Sequence, residues 1–123
     1  MINPFSVTND LLSLLDADET IKSYVGDRIF PLVAPDNTEG DFIIYQRDGT
    51  KESETKQGIS DVTAIVYYDV ISLDYLRSQE IAMAIKKCLE GRYDGDFREI
   101  KLEDSTEDFV DRKYIQILQF SIK

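Results

Sequence analysis

One stretch of alternating apolar residues restricts the fold of this chain more than any other feature. Between residues 62 and 71 every second side chain is apolar, at Val62, Ala64, Val66, Tyr68 and Val70. Successive side chains of a β-strand point to opposite faces, so this pattern predicts a strand with one apolar face. The intervening side chains mix apolar and polar types. We therefore expect a central strand whose second face is covered in part by a helix or a neighbouring subunit.

Three segments have the sequence signals of helices. Residues 7–15 contain four leucines that supply an apolar face. Residues 19–24 predict one short helical turn, which Asp18 caps and Gly26 ends. Residues 74–90 predict the main helix, with an apolar stripe at Leu76, Ile81, Ala82, Ile85, Cys88 and Leu89.

Further strands are predicted at residues 42–47, 97–103 and 113–122. The polar residues 50–60 indicate a hairpin tip, and the acidic residues 104–111 indicate a turn or a solvated loop. The element order predicts an α+β fold, in which a mainly antiparallel sheet of about four strands carries two helices on one face. A length of 123 residues is typical of one domain, so residues 1–123 are treated as a single unit.

The charge balance excludes some partners. The chain has 24 Asp plus Glu against 14 Lys plus Arg, a formal net charge of −10. Nonspecific DNA binding depends on cations that displace phosphate counterions, so this chain is a poor candidate for holding DNA or an anionic membrane. It has no apolar run near the ~20 residues of a membrane span, and its first ten residues do not have the pattern of a signal peptide.

The residue types also argue against an enzyme. Histidine is absent and the six glycines form no phosphate-binding loop, so we expect neither catalytic residues nor a cofactor. Cys88 lies on the apolar stripe of the main helix, where a buried structural thiol is favoured over a nucleophile. One acidic run could bind Mg²⁺ or Ca²⁺, although a solvated loop is favoured; its carboxylates are Glu103, Asp104, Glu107, Asp108 and Asp111.

The segment YVGDRIFPLVAPD, residues 24–36, is stiff and apolar between two prolines. Proline fixes its own φ and favours an extended residue before it, so Phe30 and Ala34 are expected to be extended. Such a segment needs a surface to pack against, which is either its own domain or another subunit. Together with three residues of the polar hairpin tip, it supplies the candidate subunit or tube interface: Arg28, Ile29, Phe30, Pro31, Leu32, Val33, Lys51, Glu52 and Lys56.

Residues 11–47 resemble the start of the phage tail completion or tail terminator-like family. That family has a leucine-rich first helix, a V-G-x-R-I-x-P turn, a second proline and then an extended strand. The matching positions are Val25, Gly26, Arg28, Ile29, Pro31 and Pro35. The later strand ending at residues 69–72, the Ala- and Leu-rich helix and the closing strand at 112–123 are also similar. Phe42 departs from the pattern, since the family often has a proline–aromatic pair there.

The resemblance implies a structural role without covalent chemistry. Family members form a ring, usually of six copies, at the head-proximal end of a long phage or prophage tail, assembled in the bacterial cytoplasm. The ring caps the tail tube, ends its polymerisation and presents a surface to the head–tail connector. The implied partners are other copies of the chain, the tail tube protein and the connector. Six copies at −10 each carry −60 formal charges, which would let DNA pass the lumen without specific binding.

Three alternatives remain from the sequence. The first is a head–tail connector or neck protein of similar size and acidity. The second is an acidic module that binds a DNA-binding protein, which would have a basic partner and no ring. The third is a carboxylate–metal hydrolase that uses Glu103, Asp104 or Asp108.

Overall fold

The computed structural model describes residues 2–55, 58–92 and 99–123. Their elements are the helices α1 (Val7–Asp16), α2 (Glu19–Val25) and α3 (Tyr75–Leu89) and the strands β1 (Ile29–Pro31), β2 (Phe42–Thr55), β3 (Gly58–Ser72), β4 (Ile100–Val110) and β5 (Lys113–Ile122).

The strands form one sheet in the order β1-β2-β3-β5-β4. β1 pairs with β2 in parallel, and the other neighbouring pairs are antiparallel. The predicted α+β class is confirmed. The predicted counts are too low, because the described residues form five strands and three helices. The extra strand is β1, which at three residues is too short to show a periodicity, and the third helix is α2, which was predicted only as one short helical turn at residues 19–24 and is seven residues long.

The predicted central strand is confirmed as β3, which lies between β2 and β5. Its residues Ala64, Val66 and Val70 are completely buried. They share one face of the sheet with apolar residues of β2 and β5, because paired residues such as Val66 and Phe120 lie side by side. This face forms the floor of the hydrophobic core.

All three helices pack on that same face, which we call the helix face. Leu11 and Leu15 of α1 and Ile21 of α2 are fully buried in the core cluster. Asp18 caps α2 by accepting a hydrogen bond from the backbone N–H of Ile21 at 3.0 Å. No helix in the described part of the chain is long and apolar enough to span a membrane.

The prediction for the main helix is correct except at Leu76. Most of the apolar stripe of α3 is buried, including Ile81, Ile85 and Leu89. Leu76, however, is 60% exposed. It is the second residue of the helix and lies along the outer side with Met83, because residues seven apart share a face of an α-helix.

The prediction of a turn or solvated loop at residues 104–111 is wrong as far as Val110. Residues 104–110 belong to β4 and pair with β5. Asp111 and Arg112 form the two-residue hairpin loop, with φ of 52° and 64°, as in a type I′ turn. The sequence did not show a strand because β4 is an edge strand with mostly exposed side chains. Backbone pairing stabilises it without an apolar face.

The hairpin predicted around residues 50–60 is present, but most of that stretch is strand. β2 continues to Thr55 and β3 begins at Gly58, and these two residues are paired. The polar composition misled the prediction because backbone pairing between β2 and β3 forms a ribbon without requiring apolar side chains. A strand is also predicted at residues 97–103, and the first two of these residues lie outside the described residues.

Candidate assembly surfaces

The guanidinium of Arg28 is used inside the subunit. Its Nε donates to the carbonyl oxygen of Asp41 at 2.9 Å, and its Nη2 donates to that of Tyr24 at 3.3 Å. It lies so close to Gly40 that a Cβ there would be 3.0 Å from Nη2. Gly40 also has a φ of 81°. Arg28 therefore joins the end of α2 to the chain entering β2, and glycine is required where they meet.

The next two residues of the candidate segment pack on opposite faces of the sheet. Ile29 is 7% exposed and belongs to the hydrophobic core. Phe30 is half-buried on the other face, where its ring lies 6.3 Å from that of Phe42. Ile29 is thus occupied within the subunit, whereas Phe30 presents part of its ring to solvent.

The chain turns sharply after β1 and exposes two aliphatic side chains. Leu32 has a φ of 66°, and the N–H of Val33 donates to the carbonyl of Pro31 at 2.7 Å. An i to i+2 hydrogen bond around a positive φ defines the strained form of the γ-turn. Leu32 and Val33 are 66% and 73% exposed. We call Pro31, Leu32 and Val33 the apolar turn.

The candidate interface residues in the ribbon formed by β2 and β3 have exposed side chains wherever the structure describes them. Lys51 pairs with Thr63 and Glu52 with Val62 in the strand register. Both side chains are exposed. Lys56 lies outside the described residues.

The sheet face opposite the helices is only partly covered, and we call it the open face. Its middle rows carry half-buried side chains that include Ile44, Tyr67 and Ile117. At one end, residues 34–38 line a groove of about 480 Å³ beside Phe42 and Ile71, which are both 6% exposed. The remaining rows mix polar and apolar side chains, since Gln46, Asp48 and Asp69 lie beside Ile44, Tyr67 and Ile117.

A carboxylate lies in the centre of the open face. Asp69 is paired with Ile44 on one side and with Ile117 on the other. Burial raises the pKa of Asp69, because the low-dielectric surroundings disfavour its charged form. None of the ion pairs between the described residues includes it.

A second apolar surface lies on the helix face beyond α3. The helix layer ends at α3, so a groove of about 330 Å³ remains between α3 and β4. Leu76 and Met83 form its wall, and Leu102 of β4 and Leu118 of β5 form its floor. Met83 is 61% exposed. Lys86 is the one charged residue among the described residues that line it. We call this groove the α3 groove.

Sequence reasoning missed Asp69 and the α3 groove. A polar residue at the middle of the mixed face of β3 was the only signal for the first. The seven-residue spacing of Leu76 and Met83 was a signal for the second, but Leu76 had been assigned to the core stripe.

The acidic run does not converge on one point. Neighbouring side chains of β4 alternate between faces, so Glu107 lies on the helix face and Asp108 on the open face. Glu107 accepts hydrogen bonds from Tyr75 at 3.0 Å and Gln116 at 2.9 Å. Among the described residues, no group of three or more His, Cys, Asp or Glu is placed to hold a metal ion. Burial raises the pKa of the Cys88 thiol, as expected of a structural residue.

Comparison with known proteins gives a fold likeness. No protein-family model matches the sequence, and no curated protein matches it. Among solved structures, one chain of the "virion of native gene transfer agent (GTA) particle" superposes with a TM-score of 0.79. The match covers 91% of this chain and 89% of that chain at 17% sequence identity. The two chains therefore share a fold over nearly their whole lengths.

Proposed function

We propose that this protein is a tail completion protein, or tail terminator, of a phage, prophage or phage-like particle. In this role it forms a ring, with six copies as the expected number, on the head-proximal end of the tail tube. The ring ends tube polymerisation and provides the surface to which the head joins. Its partners are further copies of itself, the tail tube protein and the head–tail connector, and the chain acts without a cofactor.

The observation that carries the proposal is the fold likeness to a chain of a gene transfer agent virion over 91% of this chain. Fold alone does not assign function, because one fold supports many roles. The family resemblance of residues 11–47 narrows the virion role to tail completion. That resemblance includes the turn motif at residues 25–31, which leads directly into the apolar turn.

The surfaces of the subunit support a role in assembly. Two separate apolar surfaces are exposed, the α3 groove and the apolar turn, and residues 34–38 line a further groove at one end of the open face. A chain that caps a tube in a ring must contact neighbours on two sides and another protein on a third. The charge of −10 per chain also suits a ring through which DNA passes, since a phosphate backbone is repelled rather than held.

Removing the gene from a strain that produces the particle tests this function. A terminator stops growth of the tube, so its loss is expected to give tubes of uncontrolled length and heads without tails, as seen by negative-stain electron microscopy. Plasmid-borne wild-type protein should restore tubes of one length. Tubes of normal length that fail to join heads would reject the terminator role and assign the chain to the connector or neck instead.

A further inference from the structure

We propose that neighbouring copies of this chain join by insertion of the apolar turn of one copy into the α3 groove of the next. The inference rests on the proposed ring and names the contact that forms it. The occupant of the groove is therefore a second copy of this chain, through Leu32 and Val33.

The positions of the two surfaces favour this pairing. The apolar turn follows β1 at one edge of the sheet, and the α3 groove has β5 and β4, at the other edge, as its floor. Four strand spacings of about 4.8 Å separate those edges by roughly 20 Å. A turn therefore cannot reach the groove of its own subunit. A head-to-tail contact between unlike surfaces repeats the same rotation at every copy, and it forms a closed ring when that rotation divides a full turn.

The chemistry of the two surfaces is complementary. The groove wall and floor are aliphatic, at Leu76, Met83, Leu102 and Leu118, and the turn offers two exposed aliphatic side chains. The charges also match. Residues 31–39 contain only acidic charges, at Asp36 and Glu39, whereas the charged residue lining the groove is Lys86. Among the described residues Lys86 forms an ion pair with the exposed Glu90 at 3.7 Å, and an exposed pair of this kind exchanges partners at little cost.

The backbone of the turn indicates a function beyond connecting two strands. A leucine at a φ of 66° is strained, and its large apolar side chain is 66% exposed. Strained backbone of this kind is concentrated at binding sites. Leu32 borders the open face, where it lines a shallow pocket with Ile44 and Tyr67, and most of its side chain stays exposed, as does that of Val33.

Direct strand pairing between copies is disfavoured at both edges. β1 has three residues and ends at Pro31, which lacks the N–H that a pairing strand needs. β4 is lined with exposed carboxylates, which oppose the approach of another strand. Insertion of side chains into a groove is the contact that these edges leave available.

Cysteine cross-linking tests the contact. The double variant Val33→Cys/Met83→Cys is oxidised at the concentration at which rings form and is resolved on a denaturing gel without reductant. We expect a ladder of covalent species up to the ring size. Each single variant, oxidised in parallel, should give no ladder beyond a dimer, and these controls also account for Cys88, which is 7% exposed.

Point variants give a second, independent readout. Leu32→Asp and Met83→Asp are each expected to weaken ring association at least tenfold, because each places a charge in an apolar contact. Phe5→Asp is the matched control, since Phe5 is apolar, 82% exposed and outside both surfaces. Thermal unfolding of each variant shows that the subunit still folds.

The outcomes separate this contact from the proposed function. Rings that form without the ladder, and that survive both Asp variants, would overturn the contact and leave the terminator function standing. Folded wild-type protein that forms no ring at any concentration would count against the ring itself, and with it the inference.

Discussion

The side chain of Arg77 in α3 holds the carboxylate of Asp41, which is only 8% exposed, at the start of β2. Nε and Nη2 of Arg77 each lie 2.7 Å from the same Oδ2. The guanidinium also stacks over the ring of Tyr24, 5.0 Å from its centroid. These contacts tie α3 and α2 to the chain segment that leads from the apolar turn into β2. The two surfaces of the proposed ring contact are thus connected within the subunit.

Replacing Arg77 by Ala should therefore destabilise the subunit. The change leaves the buried carboxylate of Asp41 without its cation, which costs about 2 kcal/mol, less than the roughly 3–5 kcal/mol of a fully buried pair because Arg77 is itself 45% exposed. Urea unfolding followed by circular dichroism measures the loss. Lys87→Ala, at an exposed position on the same helix, should change the free energy of unfolding by less than about 0.5 kcal/mol. If Arg77→Ala and Lys87→Ala changed the free energy of unfolding equally, the stabilising role of the contact between Arg77 and Asp41 would be contradicted.

Replacing Tyr68 by Phe should leave the subunit as stable or make it more stable. The Tyr68 hydroxyl is buried and has no hydrogen-bond partner among the described residues. The ring contacts with Tyr45 and Phe120 are retained in phenylalanine. Removing an unsatisfied hydroxyl is expected to raise the free energy of unfolding by up to about 1 kcal/mol. If chemical denaturation showed that the free energy of unfolding falls by more than about 1 kcal/mol, the hydroxyl of Tyr68 would have a hydrogen-bond partner.

The stability contributed by Asp69 should fall as the pH rises. Burial raises its pKa above the ordinary 3.8, so the folded chain binds this proton more tightly than the unfolded chain. The contribution is therefore complete below pH 3.8 and is lost as the pH rises through the raised pKa. Asp69→Asn should stabilise the isolated subunit at neutral pH, with the gain disappearing in acid. Denaturation across pH measures this, and Asp36→Asn controls for the removal of charge. If the stabilisation by Asp69→Asn instead increased in acid, the pKa of Asp69 would be lowered by folding and not raised.

Replacing Leu32 by Gly should separate stability from assembly. Glycine adopts a φ of 66° without strain, so the free energy of unfolding should stay the same or rise by up to about 1 kcal/mol. Ring association should weaken because the apolar side chain is gone. Val33→Gly is the matched control, since it removes a similar side chain without relieving strain. If Leu32→Gly lowers the free energy of unfolding as much as Val33→Gly does, the backbone at Leu32 is not strained.

The elements that sequence reasoning identified are those with a strong periodic pattern. β3 shows its position through alternation at Ala64 and Val66, and α3 through the buried spacing of Ile81 and Ile85. The strand prediction at residues 97–103 stops short of the end of β4 at Val110, because an edge strand is stabilised by backbone hydrogen bonds and its exposed side chains carry no pattern. β1 was missed for a different reason, since three residues paired in parallel are held by the tertiary fold.

The candidate surface could be predicted only in part. The prolines marked an unusual segment, but they could not show that Ile29 is buried and Leu32 exposed. That division depends on the positive φ at Leu32. A positive φ can be predicted from a sequence at a glycine, but a leucine does not indicate one. The α3 groove depends on where the helix layer ends over the sheet, which is a property of packing between distant parts of the chain.

Native mass spectrometry of the purified chain, over a wide concentration range, shows whether the ring forms. We expect a closed species of six copies, which is six times 14.1 kDa or about 85 kDa, in equilibrium with the monomer and without a stable dimer. A chain that stays monomeric as its concentration rises to about 1 mM, where even weak contacts associate, or that stops at a symmetric dimer, would contradict the ring.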